Sequence, residues 1–166
     1  TNDGMNSYTW DARNRLAGIS GGATASFSYD SLGRRISKAI GSEAAQFAYD
    51  GNDIVAEIKG GAVGTTYLRS LNIDEMFGFL RQDGSYFSIY DGVGSTLALA
   101  NQAASSAVQY SYEPFGKTQS SSPTPVNPFE FTGRENDSTG LYYYRTRYYS
   151  PQLQRFLSQD RTGFSG

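Results

Sequence analysis

The 166-residue sequence has no cysteine and no histidine. The absence of cysteine excludes a disulfide framework and a thiolate zinc site, and the absence of histidine excludes imidazole metal ligands and Ser-His or Cys-His nucleophile pairs. We therefore expect no bound metal and no cofactor. Aspartate and glutamate are the groups that remain for acid–base catalysis.

Long hydrophobic runs and an excess of one charge are missing as well. No apolar stretch approaches the roughly 18–20 residues that span a bilayer, so we expect no transmembrane segment. The 14 Lys and Arg against 16 Asp and Glu leave a net charge of −2, which excludes a global basic field for nucleic acid. The start at Thr1 lacks an initiator methionine, which favours a processed or excised piece of a longer protein.

Aromatic residues and glycine are abundant instead. The sequence has 13 Tyr, 10 Phe and 19 Gly, while charged residues make up only 18%. Most of the cations are arginine, whose planar guanidinium stacks on aromatic rings better than the lysine ammonium does. This composition predicts a turn-rich protein with stacked Tyr and Arg side chains.

An aromatic residue followed by an acid recurs about every 20 residues. The pairs are Trp10-Asp11, Tyr29-Asp30, Tyr49-Asp50, Tyr90-Asp91 and Tyr112-Glu113. A period of this length is too short for a pair of helices and is typical of two strands and two turns per unit.

Turn residues follow each aromatic-acid pair. The acid accepts hydrogen bonds from nearby backbone N–H groups, and glycine supplies the positive φ of a tight turn. We expect positive φ at Gly33 and Gly116. The residues to which we assign a structural role in the repeat or in its C-terminal continuation are Tyr29, Asp30, Gly33, Arg34, Tyr49, Asp50, Tyr90, Asp91, Gly94, Tyr112, Gly116, Gly140, Tyr144, Arg147 and Tyr149.

Strands are predicted between the turns. Residues 34–40 and 53–59 alternate at period two and are bounded by glycine. Residues 97–108 are alanine-rich and fit either a helix or a hairpin with its tip at 103–106. The serine- and proline-rich residues 119–128 predict a surface loop. We therefore expect an all-β protein of stacked antiparallel β-hairpins with little or no helix.

Two sets of motifs resemble a known family. The unit Tyr29-Asp30-Ser31-Leu32-Gly33-Arg34 resembles the YD (RHS) repeat, and residues 90–160 resemble the RHS-repeat-associated core domain. The core-like blocks are Tyr90 to Thr96, Tyr112 to Lys117, Asn127 to Arg134, Ser138 to Pro151 and Arg155 to Asp160. We predict hairpin repeats over residues 1–89 and a core-like unit over residues 90–166.

The resemblance implies a bacterial protein that is secreted or displayed at the cell surface. Its repeats would form a shell that encapsulates or presents a C-terminal toxin. The expected partners are the rest of the shell or further copies of the chain, and the toxin cargo. An adhesion module that binds surface glycans and a self-assembling filament subunit are the alternatives.

Asp160 is the candidate catalytic residue, because the family's core ends in an Asp-Pro-x-Gly motif used for aspartate-dependent self-cleavage. This sequence has Asp160-Arg161-Thr162-Gly163 instead, without the proline, and ends before a second aspartate. We therefore expect a protein that is not an enzyme, with a self-cleaving core as the alternative.

Residues 141–149 are rich in Tyr and Arg, and we interpret them as one strand. This strand would place Tyr144 on a buried face with Tyr142 and Tyr148, and Arg147 and Tyr149 on the other. Tyr and Arg can also stack on nucleic-acid bases. With a net charge of −2, we favour the structural role and expect no nucleic-acid partner.

Overall fold

A computed structural model describes residues 2–72, 75–103, 105–120 and 127–160. Its larger sheet has twelve antiparallel strands, each hydrogen-bonded to the next strand in the chain. The strands are β1 (Asn6–Trp10), β2 (Leu16–Gly21), β3 (Ala25–Tyr29), β4 (Arg35–Ile40), β5 (Glu43–Asp50), β6 (Asp53–Lys59), β7 (Ala62–Arg69), β8 (Met76–Arg81), β9 (Gly84–Tyr90), β10 (Thr96–Asn101), β11 (Ser106–Tyr112) and β12 (Thr118–Ser120).

A smaller sheet of four strands follows. It consists of β13 (Glu135–Asn136), β14 (Tyr142–Tyr144), β15 (Arg147–Ser150) and β16 (Arg155–Phe156), paired in that order. The helical structure in the described ranges is limited to one 3-10 turn at Phe131–Gly133. No helix in this part of the chain is long and apolar enough to cross a membrane.

The predicted all-β fold is confirmed. The alanine-rich residues 97–108 belong to a hairpin, since β10 pairs with β11. The predicted loop 119–128 is tested only in part, because residues 121–126 lie outside the described ranges, and Gln119 and Ser120 belong to β12.

A register shift recurs beside the aromatic residue that precedes the turn. The shift lies at Thr9/Trp10 in the β1–β2 pair and at Ser28/Tyr29 in the β3–β4 pair. The β5–β6 pair has it at Ala48/Tyr49. A β-bulge increases the local twist and re-aims a side chain, so the bulge is a structural element of this repeat.

The chain divides into two compact units. Unit 1 comprises residues 1–44 and 136–166, and unit 2 comprises residues 45–135. The predicted boundary between residues 89 and 90 concerns the change from repeats to core and stays a prediction.

Each unit has its own aromatic-rich core. In unit 1, Phe27 on β3 packs against Tyr148 on β15 with ring centroids 5.2 Å apart. In unit 2, the buried Phe129 lies edge-on to Tyr67, with centroids also 5.2 Å apart. The further buried core residues of unit 1 include Tyr8, Leu16, Ile19, Ala25, Leu141, Tyr142 and Tyr143. Those of unit 2 include Ala45, Phe47, Ile54, Met76, Phe79, Leu99, Val108 and Tyr110.

The interpretation of residues 141–149 as one strand is wrong. They form the hairpin β14–β15, whose two-residue loop is Arg145-Thr146. The Thr146 N–H donates to the Tyr144 carbonyl at 2.6 Å, and Arg145 has a φ of 58°. The pattern missed this loop because neither residue is one that normally signals a turn.

Candidate functional site

The turn after Tyr29 shows how the repeat is held. The Asp30 N–H donates to the Arg34 carbonyl at 2.9 Å, and the Gly33 N–H donates to the Asp30 carbonyl at 3.1 Å. The carboxylate of Asp30 accepts from the Arg34 N–H at 2.9 Å and from Arg34 Nε at 2.7 Å. Gly33 has a φ of 90°, which confirms the predicted positive value.

The turn at Asp11 has the same geometry. Its carboxylate accepts the N–H groups of Arg13 and Arg15, both at 2.9 Å, and Arg15 Nε at 2.7 Å. Asn14 takes the glycine position with a φ of 59°. Burial raises the pKa of Asp11, but the hydrogen bonds and charge of Arg15 outweigh burial and hold this pKa below its usual value. The same opposing effects lower the pKa of Asp30.

Variants of this turn close the hairpins of unit 2. The Asp91 carboxylate accepts the Val93 and Ser95 N–H groups at 2.9 and 2.8 Å. Gly94 and Gly116 have φ values of 83° and 87°, so the prediction for Gly116 is also confirmed.

Two further turns of this kind lie outside the assigned repeat residues, although a hairpin tip at 103–106 was one of the two predictions for residues 97–108. The side-chain oxygen of Asn101 accepts the N–H groups of Ala103 and Ser105 at 3.0 and 3.2 Å. The Glu130 N–H donates to the Arg134 carbonyl at 2.9 Å. The Glu130 turn had a signal, the aromatic-acid pair Phe129-Glu130. The Asn101 turn lacked one, because an amide replaces the acid.

Arginine side chains also link successive turns. Arg15 Nη1 donates to the Asp30 carbonyl at 3.1 Å, and its guanidinium carbon lies 4.6 Å from the Tyr29 ring centroid. Arg13 Nη1 donates to the Ser31 carbonyl at 3.1 Å. The expected stacking of Arg on Tyr is therefore present, and it joins one repeat to the next.

A buried polar cluster lies in unit 1 and was not predicted. Asp137 and Arg35 have fully buried side chains and form an ion pair through Arg35 Nη1. Lys38 Nζ donates to the second oxygen of Asp137 at 3.1 Å. Arg35 Nη1 also donates to the Tyr148 hydroxyl at 3.1 Å, and its guanidinium lies 4.1 Å from the Tyr143 ring centroid. One carboxylate thus binds two cations of β4.

Two tyrosine hydroxyl groups extend this hydrogen-bonded cluster from Arg35 to the carbonyl of Leu16. The Tyr29 hydroxyl donates its proton to the Leu16 carbonyl at 2.8 Å. In the 3.2 Å contact between the hydroxyls of Tyr29 and Tyr148, Tyr148 is therefore the donor. Burial raises the pKa of Tyr29 to about 12 and the pKa of Tyr148 further. Both phenols stay protonated at neutral pH.

Asp137 is ionised despite its burial. Desolvation alone would raise its pKa, but the charges of Arg35 and Lys38 and their hydrogen bonds outweigh desolvation and hold this pKa below the usual value. The described residues contain no group of three or more acidic side chains that could hold a metal ion.

Tyr144, which was predicted to lie on a buried face, is the last residue of β14 in the smaller sheet. Tyr144 is only partly buried, which corrects the prediction for this residue, whereas Tyr142 and Tyr148 of the same predicted face are buried. Tyr143 is buried as well. Tyr144 packs edge-on against Phe156 and Tyr149, with centroids 5.3 and 5.9 Å away.

Asp160, the predicted catalytic residue, forms an ion pair with Arg147 at 3.0 Å, and 42% of its side chain is exposed. The Arg147 guanidinium also lies 3.9 Å from the Phe156 ring centroid. Residues 161–166 lie outside the described ranges, so the motif Asp160 to Gly163 is described only at its first residue. A catalytic role for Asp160 stays a prediction.

A buried polar contact in unit 2 fixes the segment that contains Phe129. Thr96 Oγ1 donates to the Phe129 carbonyl at 2.7 Å, and the Phe129 N–H donates to Asn127 Oδ1 at 3.0 Å. The Tyr112 hydroxyl donates to the Thr96 carbonyl at 2.6 Å. Predicted repeat residue Tyr112 therefore contributes a hydrogen bond as well as an aromatic ring.

Fold and turns define a class: an antiparallel β-hairpin repeat protein whose turns are closed by acidic side chains and linked by arginine. No model of a protein family matches the sequence. The chain is 28% identical over 170 residues to the tRNA3(Ser)-specific nuclease WapA of Bacillus spizizenii. It is 24% identical over 197 residues to the double-stranded DNA deaminase toxin A of Burkholderia cenocepacia.

These alignments cover 96% of this chain, but only 7% of the WapA protein and 14% of the deaminase toxin. Among solved structures, the TcdB2-TccC3 crystal structure matches 98% of this chain and 10% of that chain, with a TM-score of 0.74 and 19% identity. The match shows a shared fold.

The relatives correct one expectation. From the sequence we expected a protein that is not an enzyme, whereas relatives similar to this segment are named nucleases and a double-stranded DNA deaminase toxin. The prediction that such a segment belongs to a protein without enzymatic activity is therefore wrong.

Proposed function

We propose that this chain is a β-hairpin repeat segment of an RHS/YD-repeat shell, in a bacterial toxin that carries its enzyme elsewhere in the polypeptide. One observation carries the proposal: relatives named for different activities, on tRNA and on double-stranded DNA, are each similar to 96% of the chain. A segment shared by different chemistries fits a common scaffold. The Asp-closed turns and the linking arginines give that scaffold its rigidity.

The proposal includes the setting of the protein. Toxin-named relatives and the fold shared with TcdB2-TccC3 support a secreted or surface-displayed bacterial protein whose partners are toxin components. The enzyme of the longer protein would act on nucleic acid, as the names of the relatives indicate. The repeat segment would enclose or present that enzyme.

The test uses the full-length protein. We expect the enzyme region to resist limited proteolysis in the wild type and to become sensitive in Gly94→Val, because Gly94 has a φ of 83° that valine rarely adopts. Gly92→Val in the same turn is the matched control, since Gly92 lacks a positive φ and has open space around a β-carbon. An enzyme region that is equally protease-sensitive in wild type and alone would contradict a shell.

Self-cleavage after the core is the second candidate, and the observation behind it is the exposure of Asp160 beside Arg147. Mass spectrometry of the full-length protein, wild type against Asp160→Asn, tests this candidate. The same cleavage products in both would remove Asp160 from the mechanism. Glycan adhesion and filament formation remain alternatives, for which glycan arrays and light scattering are the direct measurements.

A further inference from the structure

Exposed apolar side chains are concentrated on three neighbouring strands of unit 2, β8, β9 and β10. Phe79 and Leu99 of these strands lie in the core and are fully buried. Since successive side chains of a strand point to opposite faces of a sheet, Leu80, Phe87 and Ile89 lie on the side away from the core. All three are exposed.

Two bulges add further exposed apolar side chains to these strands. The register of the β7–β8 pair skips Phe77, and the register of the β9–β10 pair skips Leu97. A bulge leaves its extra residue outside the ladder, and both residues are exposed. We call Phe77, Leu80, Phe87, Ile89 and Leu97 the apolar face.

The described strands β7–β11 place no charged side chain beside the apolar face. Strands β9, β10 and β11 contain no Asp, Glu, Lys or Arg, and the charged residues of β7 and β8 are Arg69 and Arg81. Both turn to the core side, since their guanidinium carbons lie 4.6 Å from the ring centroid of Phe129 and 4.8 Å from that of Phe79, respectively. Without charge, the face has no complement for nucleic-acid phosphates, and it does not repel a second copy of itself.

The repeat fold does not require such a face, as unit 1 shows. Ala25 and Phe27 of β3 lie in the core of unit 1, and the exposed Ser26 and Ser28 alternate with them. The residues that pair with these two serines are small as well: Gly18, Ser37 and Ala39. A contiguous exposed apolar patch that the fold does not need is typical of an interaction site.

Large and small residues alternate across the apolar face. Phe87 and Ile89 form a ridge along β9. Phe87 pairs with Gly78 of β8 and with Ala100 of β10, and Ile89 pairs with Ala98. The two alanines leave a groove beside the ridge. A second copy related by a two-fold axis can place its ridge in this groove and receive the first ridge in its own.

The size of this surface suits a dimer. Strands lie about 4.8 Å apart and rise about 3.3 Å per residue, so the outer side of β7–β11 covers about 500 Å². Two copies in contact would bury about 1,000 Å² in total, which reaches the lower limit for a specific interface. The exposed Thr66 of β7 and Gln109 of β11 flank the apolar strands and provide the polar rim of such an interface.

We propose that the apolar face of unit 2 docks a second copy of this chain, with the ridge of each copy in the groove over Ala98 and Ala100 of the other. The contact closes after two copies, which distinguishes it from a filament contact. It does not depend on the proposed function, since it requires neither a shell nor an enzyme.

Analytical ultracentrifugation of the full-length protein tests the contact over a roughly 100-fold range of concentration, because the dimer forms by mass action. We expect the wild type to pass from monomer to dimer. Ile89→Lys places a charge in the contact and should weaken dimerisation about 100-fold. Ile36→Lys in unit 1 is the matched control, since Ile36 is a strand residue of similar exposure, 40% against 51% for Ile89. The control should change the dissociation constant less than about threefold.

A second variant separates specific docking from general apolar association. Ala98→Trp fills the groove with a larger apolar side chain, so docking of the ridge should be lost, whereas nonspecific association would become stronger. Stronger association of Ala98→Trp, or equal effects of Ile89→Lys and Ile36→Lys, would overturn the proposal.

A wild type that stays monomeric at every concentration would overturn it too, and the variants then identify the occupant. If another segment of the same polypeptide covers the apolar face, Ile89→Lys lowers the melting temperature and Ile36→Lys does not. If both variants melt like the wild type, no part of the protein covers the face.

Discussion

Asp30 and Asp137 each begin a five-residue turn, yet their carboxylates have different partners. In both turns the aspartate N–H donates to the carbonyl four residues on, at 2.9 Å from Asp30 and 3.2 Å from Asp137. A glycine with positive φ follows in each, Gly33 at 90° and Gly140 at 81°.

The two turns differ in their fifth residue, counted from the aspartate. At Asp30 this residue is Arg34, which binds the carboxylate within the turn. At Asp137 it is Leu141, a buried core residue, and the carboxylate binds Arg35 and Lys38 about 100 residues earlier. The two backbones differ as well, since Ser138 in the second turn has a φ of 55°. The acid of the first turn therefore acts locally, whereas the acid of the second joins distant segments of the chain.

The largest loss of stability is expected when the carboxylate of Asp137 is removed. Asp137→Asn should cost about 3–5 kcal/mol of unit 1 stability, because it removes a fully buried carboxylate that binds both Arg35 and Lys38. Asp30→Asn should cost about 1 kcal/mol, since its ion pair is partly exposed. Denaturant unfolding followed by the fluorescence of Trp10, the single tryptophan and a residue packed against the unit 1 core, measures both. Equal losses would contradict the distinction.

The next largest difference in stability is expected between substitutions on the two faces of the β14–β15 hairpin. Tyr148→Ala should cost about 3 kcal/mol, because Tyr148 is only 1% exposed and its hydroxyl bonds to Arg35 and Tyr29. Tyr144→Ala should cost about 1 kcal/mol, because Tyr144 is only partly buried. Thermal unfolding of the two variants compares them, and a larger loss for Tyr144→Ala would mean that the faces are exchanged.

Alanine substitutions at two turn glycines distinguish the cost of backbone strain from the cost of steric overlap. Gly33→Ala should cost about 1 kcal/mol for the positive φ alone, since a β-carbon there meets no atom within 4 Å. Gly116→Ala should cost about 2 kcal/mol or more, because its β-carbon would also lie 2.6 Å from Cε1 of Phe131. Denaturation midpoints should therefore fall further for Gly116→Ala, and the reverse order would contradict this packing.

Acid should produce the smallest effect over the accessible range. The folded-state pKa of Asp137 lies below the usual value of an aspartate, so its ionised form contributes stability above that usual value, and this stability is lost as pH falls through the folded pKa. Wild type should lose stability below about pH 4. Asp3, Asp11 and Asp30 have lowered pKa values too, so the difference from Asp137→Asn isolates Asp137. A parallel pH dependence of the two proteins would remove Asp137 from the acid response.

Local chemistry explains what could be predicted. The turns at Asp30 and Asp91 follow from an acid that caps backbone N–H groups and a glycine that accepts positive φ, both within five residues. The Arg145-Thr146 loop could not be predicted, because Arg145 adopts a φ of 58° without a glycine or asparagine to signal it. Packing of Tyr143 and Tyr148 in the core supports that loop instead.

The sequence alone determined the all-β hairpin repeat, since the spacing of aromatic, acid and glycine residues sets where strands end. Only the tertiary structure decided the partners of Asp137 and the buried side of the C-terminal hairpin. A carboxylate can cap the nearest N–H groups, as that of Asp30 does, but its ion pairs depend on which cations the folded chain brings within reach. In this protein those cations are Arg35 and Lys38, which lie about 100 residues before Asp137 in the sequence.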